Sequence, residues 1–371
     1  MKKEIAYIGI DIDDKAYHVS GVNEEGVEIK SFVVRGSANK LAKELNRQFS
    51  AYHLNACYEA SYTGYSQARV LQKRGISCAV IAPTSIPKSP NERVKNDRVD
   101  ALRLAQLWAK GSLSVVAIPT EQQEAERAIV RARDFVVIQI GDLKRRIIAT
   151  CREFGLNYKD SVQGAAKYWT KAHRLWLDQE IQSLGNRLPE LSFILSSLLI
   201  QLEGLLASLT RFEHRILELS KNEIYAKKVQ ALQCFKGIQV TTAMCILTEI
   251  FDVSRFEHPK KLVAYVGLDV REHSSGGKQI QFGISKMGNR RIRKALTESC
   301  QMVTRGKTPT KIVEARRKGC PENVVDIAEK CRLRLYEKGH RLIANGKHIN
   351  KVKTACAREM IGFIWEVLKV A

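Results

Sequence analysis

The chain has 371 residues, 44 % of them hydrophobic, with nine cysteines and a formal net charge of +22. That length suits two or three domains with sizeable cores, and so large a basic excess asks for an anionic partner, most often nucleic acid, rather than for solubility alone. The cysteines are scattered singly with no CxxC pair, which argues against a zinc ribbon or redox motif and reads as reduced thiols in a cytosolic protein. Met1-Lys2-Lys3 leads into Glu4 and a strand, not into a signal-peptide core. The most apolar run, Phe193 to Leu206, is interrupted by Ser196, Ser197, Gln201 and Glu203, so no membrane span is expected. Charge is uneven: from Gln281 to Ala371 there are 21 Lys/Arg against 8 Asp/Glu.

In chain order, residues 4–12 read as a largely buried strand, and 15–22 and 26–35 as two more, separated by the turn Asn23-Glu24-Glu25-Gly26. Helical periodicity covers 38–49. A fourth strand is expected at 53–59, a helix at 66–74 and a fifth strand at 76–81. Three strands followed by alternating helix and strand imply an α/β domain with a mixed sheet. Residues 82–96 carry Pro83, Pro87 and Pro90 beside Lys88, Arg93 and Lys95 and read as a mobile basic loop. A helix then runs from Asp97 to about Lys110, and a long one from Gln122 to Phe154. From Pro189 to Leu219 the apolar positions Leu191, Leu195, Leu198, Leu202, Leu205, Leu209, Phe212, Ile216 and Leu219 alternate spacings of four and three. Such a seam marks a coiled-coil arm, within or between chains, where an ordinary buried helix is the plainer alternative. A small C-terminal domain follows from about Val229: Phe235-Lys236-Gly237-Ile238 breaks one helix before another at 241–250, Ser274-Ser275-Gly276-Gly277 reads as a loop, and 351–370 as a final helix.

Four acidic residues fall where chemistry is done. Asp11 ends the first strand and Glu59 the fourth; Asp97 and Asp100 sit three apart at a helix start and share a face. If the first and fourth strands lie side by side and the helix covers that edge, all four carboxylates converge. Like charges so close repel and raise one another's pKa, and a divalent metal removes that cost. Mg²⁺ or Mn²⁺ held by carboxylates suits phosphodiester chemistry, and Mg²⁺ prefers hard oxygen ligands. Taken singly, Asp11 could cap a turn, while Asp97 and Asp100 could be an N-cap and a dipole-favoured acid. An actin-like ATPase also begins with a strand ending Gly-Ile-Asp, but its Gly-rich phosphate loops do not occur here.

Tyr7-Ile8-Gly9-Ile10-Asp11, Tyr58-Glu59-Ala60-Ser61-Tyr62-Thr63-Gly64 and Lys95-Asn96-Asp97-Arg98-Val99-Asp100-Ala101 resemble the motifs of DEDD transposases, the bridge-RNA-guided recombinases of bacterial insertion sequences. Their N-terminal domain resembles the Holliday-junction resolvase RuvC. The second half matches as well, in Ser254-Arg255-Phe256, residues 262–268, Ser274-Ser275-Gly276-Gly277-Lys278, residues 284–293 and Ala344-Asn345-Gly346-Lys347. The motifs span nearly the whole chain in the family's order. Two departures stand out: Lys236-Gly237-Ile238-Gln239 replaces the family's Pro-Gly-Ile-Gly, and residues 303–340 form a longer stretch than the family leads one to expect, with no role assigned.

The resemblance implies a ribonuclease H-like, RuvC-like nuclease domain at 1–155, a helical coiled-coil arm at 156–225 and a mostly helical transposase domain at 226–371. It maps the family's DNA-joining serine onto Ser275, which would attack phosphate and form a covalent phosphoserine. Asp11, Glu59, Asp97 and Asp100 would hold Mg²⁺ or Mn²⁺, and Lys278, Lys286, Arg290, Arg291 and Arg293 would neutralise DNA phosphates. Implied partners are donor and target duplex DNA, a structured guide RNA and further copies of the chain as a dimer or tetramer. Work at the nucleoid in the bacterial cytoplasm is expected. A RuvC-like structure-specific nuclease would need the carboxylates but not Ser275, and a non-catalytic binder of DNA or RNA only the basic surface.

Overall fold

The computed structural model describes residues 3–87, 96–162, 167–275, 278–303, 306 and 308–371, with the side chains of 273–275, 278–281 and 302–303 left out. Most of the proline-rich basic loop, including Lys88, Pro90, Arg93 and Lys95, therefore lies outside the described residues. Two compact units divide the chain, Met1–Thr120 and Glu121–Ala371.

The first unit is built on a six-stranded mixed sheet. Strands β1 (Ile5–Ile12), β2 (Tyr17–Val22) and β3 (Glu28–Val34) form an antiparallel meander; β4 (His53–Glu59) pairs parallel to β1, and β5 (Ser77–Ile81) parallel to β4. A two-residue strand that periodicity cannot reveal, β6 (Val115–Val116), closes the edge antiparallel to β5. Helices α1 (Ala38–Gln48) and α2 (Ser66–Lys73) supply the crossovers. Because strand side chains alternate between faces, Ile8, Ile10, Ala56 and Tyr58 form one core with Leu41 and Leu45 of α1 and Leu71 of α2. Cys57 and Ile81 point the other way and pack on Leu104 of α3 (Asp97–Ala109).

The second unit is helical, with one small hairpin. Helices α4 (Glu121–Glu153), α5 (Tyr158–Ser161), α6 (Lys171–Arg187) and α7 (Pro189–Ser220) come first. Leu191, Leu195, Leu199 and Leu202 of α7 are buried with Val136, Ile140 and Ile147 of α4 and Trp176, Leu177 and Leu184 of α6. Of the four-three seam, Leu191, Leu195 and Leu202 are thus buried within one chain, and Leu198, Leu205, Leu209 and Phe212 are partly buried against the same core. Among the described residues α7 is the one helix long and apolar enough to cross a membrane by length and composition, more so than its interrupted apolar run suggests.

Helix α8 (Glu223–Gln233) turns into α9 (Val240–Ile250) through Lys236-Gly237-Ile238-Gln239. Gly237 has φ +94° and its would-be Cβ overlaps the Ser299 carbonyl oxygen, so this turn requires the glycine that it shares with the family's Pro-Gly-Ile-Gly. After α10 (Pro259–Val266), strands β7 (Val270–Ser275) and β8 (Lys278–Ile284) pair antiparallel. Ser274 and Ser275 of the segment read as a Ser/Gly loop therefore belong to a strand, with Ser275 opposite Lys278, while Gly276 and Gly277 lie outside the described residues; cross-strand pairing reaches into a region whose composition alone favours a turn. Helices α11 (Arg290–Val303), α12 (Lys311–Arg317), α13 (Glu322–Ala344) and α14 (Ile349–Val370) complete the unit. The unassigned stretch 303–340 holds α12 and most of α13, whose Ile327, Cys331 and Leu335 join the main core with Met360, Ile364 and Val367 of α14. All nine cysteines are free thiols.

Candidate metal centre and nucleic-acid surfaces

The register of β1 builds the acidic site. Gly9 pairs with Cys57 on β4, and Cys57 faces α3; two residues on, Asp11 and Glu59 stand on that same face of adjacent strands. Helix α3 lies directly on this face, because a Cβ at Gly9 would overlap the Ala101 carbonyl oxygen and sit 2.5 Å from the Ala105 amide nitrogen. Only glycine permits so close a backbone approach. Asn96 caps α3 by accepting from the Arg98 amide at 3.0 Å, and Asp97 and Asp100 occupy the first turn, where the helix dipole favours negative charge. The outcome is that carboxylate oxygens of Asp11, Asp97 and Asp100 all lie within 4.8 Å of one another, each residue partly exposed. Glu59 stands on the neighbouring strand end, exposed, outside that trio.

Sequence reasoning missed His18. On β2 it sits directly opposite Asp11, and its Nε2 is 3.5 Å from Asp97 Oδ2. The signal is the hairpin register: a four-residue connection after Ile12 puts Tyr17 opposite Ile12 and His18 opposite Asp11. His18 also borders an open groove of about 750 Å³ lined by Lys15 and Arg35, and a second of about 230 Å³ lined by Arg98. Cations therefore flank the acidic trio along the β2–β3 side. Three hard carboxylate donors in one partly exposed cluster fit a hard divalent cation, which prefers oxygen ligands.

The predicted basic residues divide by environment. Lys286 and Arg290 are exposed. Arg291 is engaged internally, with Nη1 3.3 Å from Asp134 and Nε 4.0 Å from the buried Glu249. Arg293 donates to the Val266 carbonyl oxygen at 2.7 Å, and burial pulls its pKa down. The side chains of Ser275 and Lys278 lie outside the described residues.

Glu249 organises this region. Burial alone would raise its pKa, but the Arg131 fork at 2.7 and 2.8 Å and the Asn289 amide at 2.7 Å outweigh that and hold it below the usual carboxylate range. Beside it opens a cavity of about 330 Å³ lined by Arg133, Asp134, Thr241, Arg291 and Lys294 among others.

Comparison with known proteins gives a consistent result. A family model for the DEDD transposases of IS110, described as Transposase, matches residues 8–155, and one described as Transposase IS116/IS110/IS902 family matches residues 229–312. The chain is similar to putative transposase y4qE of Sinorhizobium fredii, at 31 % identity over 99 % of this chain and 89 % of that protein. It is also similar to the transposase for insertion sequence element IS1533 of Leptospira borgpetersenii, at 29 % identity over 95 % and 100 %. A third relative is the transposase for insertion sequence element IS1111A of Coxiella burnetii, at 26 % identity over 82 % of this chain and 79 % of that protein.

Proposed function

Because the chain belongs to the IS116/IS110/IS902 family of transposases, enzymes that act on DNA, we propose that it cuts and rejoins DNA to move an insertion sequence, with a divalent-metal centre in its first unit. The convergence of Asp11, Asp97 and Asp100 carries this reading. Those carboxylates would hold Mg²⁺ or Mn²⁺, with Glu59 closing the set from the next strand. A bound divalent ion supplies charge neutralisation at the phosphate and lowers the pKa of an attacking oxygen. The chain's own residues do the rest. Gly9 lets α3 carry Asp97 and Asp100 up to Asp11, His18 steadies Asp97, and Lys15, Arg35 and Arg98 attract the flanking phosphates.

The antiparallel meander followed by two parallel crossovers supports a ribonuclease H-like assignment of this sheet. Functional domains at 1–155, 156–225 and 226–371 give α4 to the nuclease and Ser275 to the C-terminal domain.

Rejoining needs the broken end to be kept. In our reading the Ser275 hydroxyl attacks phosphorus, an Oγ–P bond forms, the P–O bond to one sugar breaks, and the leaving oxygen takes a proton. The covalent phosphoserine conserves the ester for resealing without an outside energy source. Lys278, Lys286 and Arg290 would neutralise phosphate around it. Carboxylates and serine then act on one phosphate as a composite site, supplied by one subunit or by two. Strand exchange at two duplexes needs several such sites, hence a dimer or tetramer, and a structured RNA from the element would choose donor and target while the protein reads its shape and backbone. The work would be done at the nucleoid, in the cytoplasm.

Denaturing electrophoresis of labelled DNA, followed by peptide mapping, separates this from a resolvase-type nuclease in which water attacks. A protein–DNA adduct is expected with the wild type, absent in Ser275→Ala and retained in Ser274→Ala. Cleavage with no adduct at all leaves the nuclease reading standing, and an adduct that maps to another residue removes Ser275 from the nucleophile's role.

A further inference from the structure

Between Lys144 and Arg174 the sequence carries eight Lys/Arg against two Asp/Glu. This stretch is the C-terminal end of α4, all of α5 and the start of α6. It lies roughly 30 Å along α4 from the Arg131–Glu249 fork, at 1.5 Å per residue. Nothing in the proposed cleavage chemistry uses it.

Aromatic rings cluster here. His173 is buried and has Tyr158 at 4.8 Å, Tyr168 at 5.2 Å and Trp169 at 5.2 Å between ring centroids, with Trp176 at 5.8 Å. Tyr158, His173 and Trp176 fill the inside, whereas Tyr168 and Trp169 are only half-buried. Trp169 is held at φ +65°, a costly conformation for a bulky residue, and its backbone N–H donates to His173 Nδ1 at 3.2 Å. Cations stand against the two half-exposed rings: Lys144 Nζ is 5.3 Å from the Trp169 centroid, and Arg152 and Lys159 are 5.8 and 5.5 Å from that of Tyr168. Lys167 and Lys171 are exposed alongside.

A solvated helix tip has no need of this combination. Elsewhere in the unit clustered arginines are neutralised by carboxylates, as Arg131 is by Glu249 and Arg332 by Glu329. At the tip, Arg145 has such a partner in Asp142 and Arg174 in Glu203, while Lys144, Arg152 and Lys159 lean on rings. Positive charge around half-exposed aromatic rings fits a polyanion whose own π-faces are uncovered. Duplexes bury those faces; unpaired nucleotides present them.

We propose that this tip binds unpaired nucleotides, with bases stacked on Trp169 and Tyr168 and phosphates neutralised by Lys144, Arg152 and Lys159. A base on Trp169 displaces the Lys144 ammonium from the ring and leaves it beside that nucleotide's phosphate. The site shares no residue with the carboxylate centre and the proposal does not depend on it.

The test uses the full chain and fluorescein-labelled 12-mers of about the length one stacking platform tracks: single-stranded RNA, single-stranded DNA and a duplex of the same sequence. Tyr168→Leu/Trp169→Leu should weaken single-strand binding about tenfold or more while duplex binding is unchanged. Lys159→Gln/Lys167→Gln/Lys171→Gln leaves the aromatic cluster intact, so its effect is not unfolding; it should flatten the single-strand salt slope by about 0.7 for each phosphate no longer neutralised. Preference for RNA, preference for DNA and equal binding of the two single strands all support the proposal, and a preference identifies the source. Unchanged single-strand affinity in both variants, or an equal loss on the duplex, overturns it. Mn²⁺ binding to the N-terminal carboxylates, measured on the same variants, should stay at the wild-type value, so failure here is distinct from failure of the metal-centre reading.

Discussion

A Cβ at position 9 would overlap the Ala101 carbonyl oxygen and come within 2.5 Å of the Ala105 amide nitrogen, so α3 can lie flat on β1 only with glycine there. Gly9→Ala must therefore push α3 away and carry Asp97 and Asp100 with it. The expected cost is about 2 kcal/mol of stability, typical of overpacking. Mn²⁺ affinity should fall about tenfold or more, as when support of a metal ligand is lost. Urea denaturation and Mn²⁺ titration of the same variant check both, and an unaltered Mn²⁺ affinity would separate the glycine from the site. Asp11, Glu59, Asp97 and Asp100 could be picked out of the sequence because strand ends and a helix start are visible in periodicity. His18 could not, since only the β1–β2 register puts it opposite Asp11. Nor could the fate of Arg291 and Arg293, which look like free cations in a basic run yet spend their guanidinium groups on Asp134 and the Val266 carbonyl.

Elements fared differently according to how local their cause is. Helix α3, the long helices α4 and α7 and the strands β1 to β5 follow from period and capping, and lie within two residues of where periodicity puts them. The hairpin β7–β8 depends on cross-strand pairing, and a Ser/Gly-rich stretch hides it. The fork between α4 and α9 is likewise long-range: Arg131 and Glu249 are 118 residues apart, and Glu249 has only 1 % of its side chain exposed. Glu249→Gln takes the charged acceptor away from the Arg131 fork and should cost about 2 kcal/mol, as for the loss of hydrogen bonds to a charged group. Because the folded-state pKa of Glu249 lies below its ordinary value of 4.5, its contribution is complete above that value and is lost as pH falls through the folded pKa. Chemical denaturation at pH 7 and in the acid range should show the variant less stable at pH 7 and its disadvantage shrinking on acidification. A pH-independent difference would contradict the assigned ionisation.

Over the whole molecule the dominant quantity is charge, +22 on 371 residues. Binding of duplex DNA should weaken steeply with salt, by about 0.9 in log affinity per log salt for every phosphate neutralised; a flat response in a fluorescence anisotropy titration would contradict a phosphate-dominated interface. Composition made that partner class visible at once, but could not show that the cations divide between a groove beside His18, the basic tip near Trp169 and internal ion pairs. The most direct measurement is metal-dependent strand cleavage of labelled element-end DNA by wild-type protein, Asp11→Asn and Asp100→Asn, in Mg²⁺, Mn²⁺ and a chelator. Cleavage should require the metal and vanish in both variants while DNA affinity stays within about threefold of wild type, since the lost carboxylates contact metal rather than phosphate. Cleavage at a near wild-type rate by either variant, or in the presence of the chelator, would contradict the carboxylate centre.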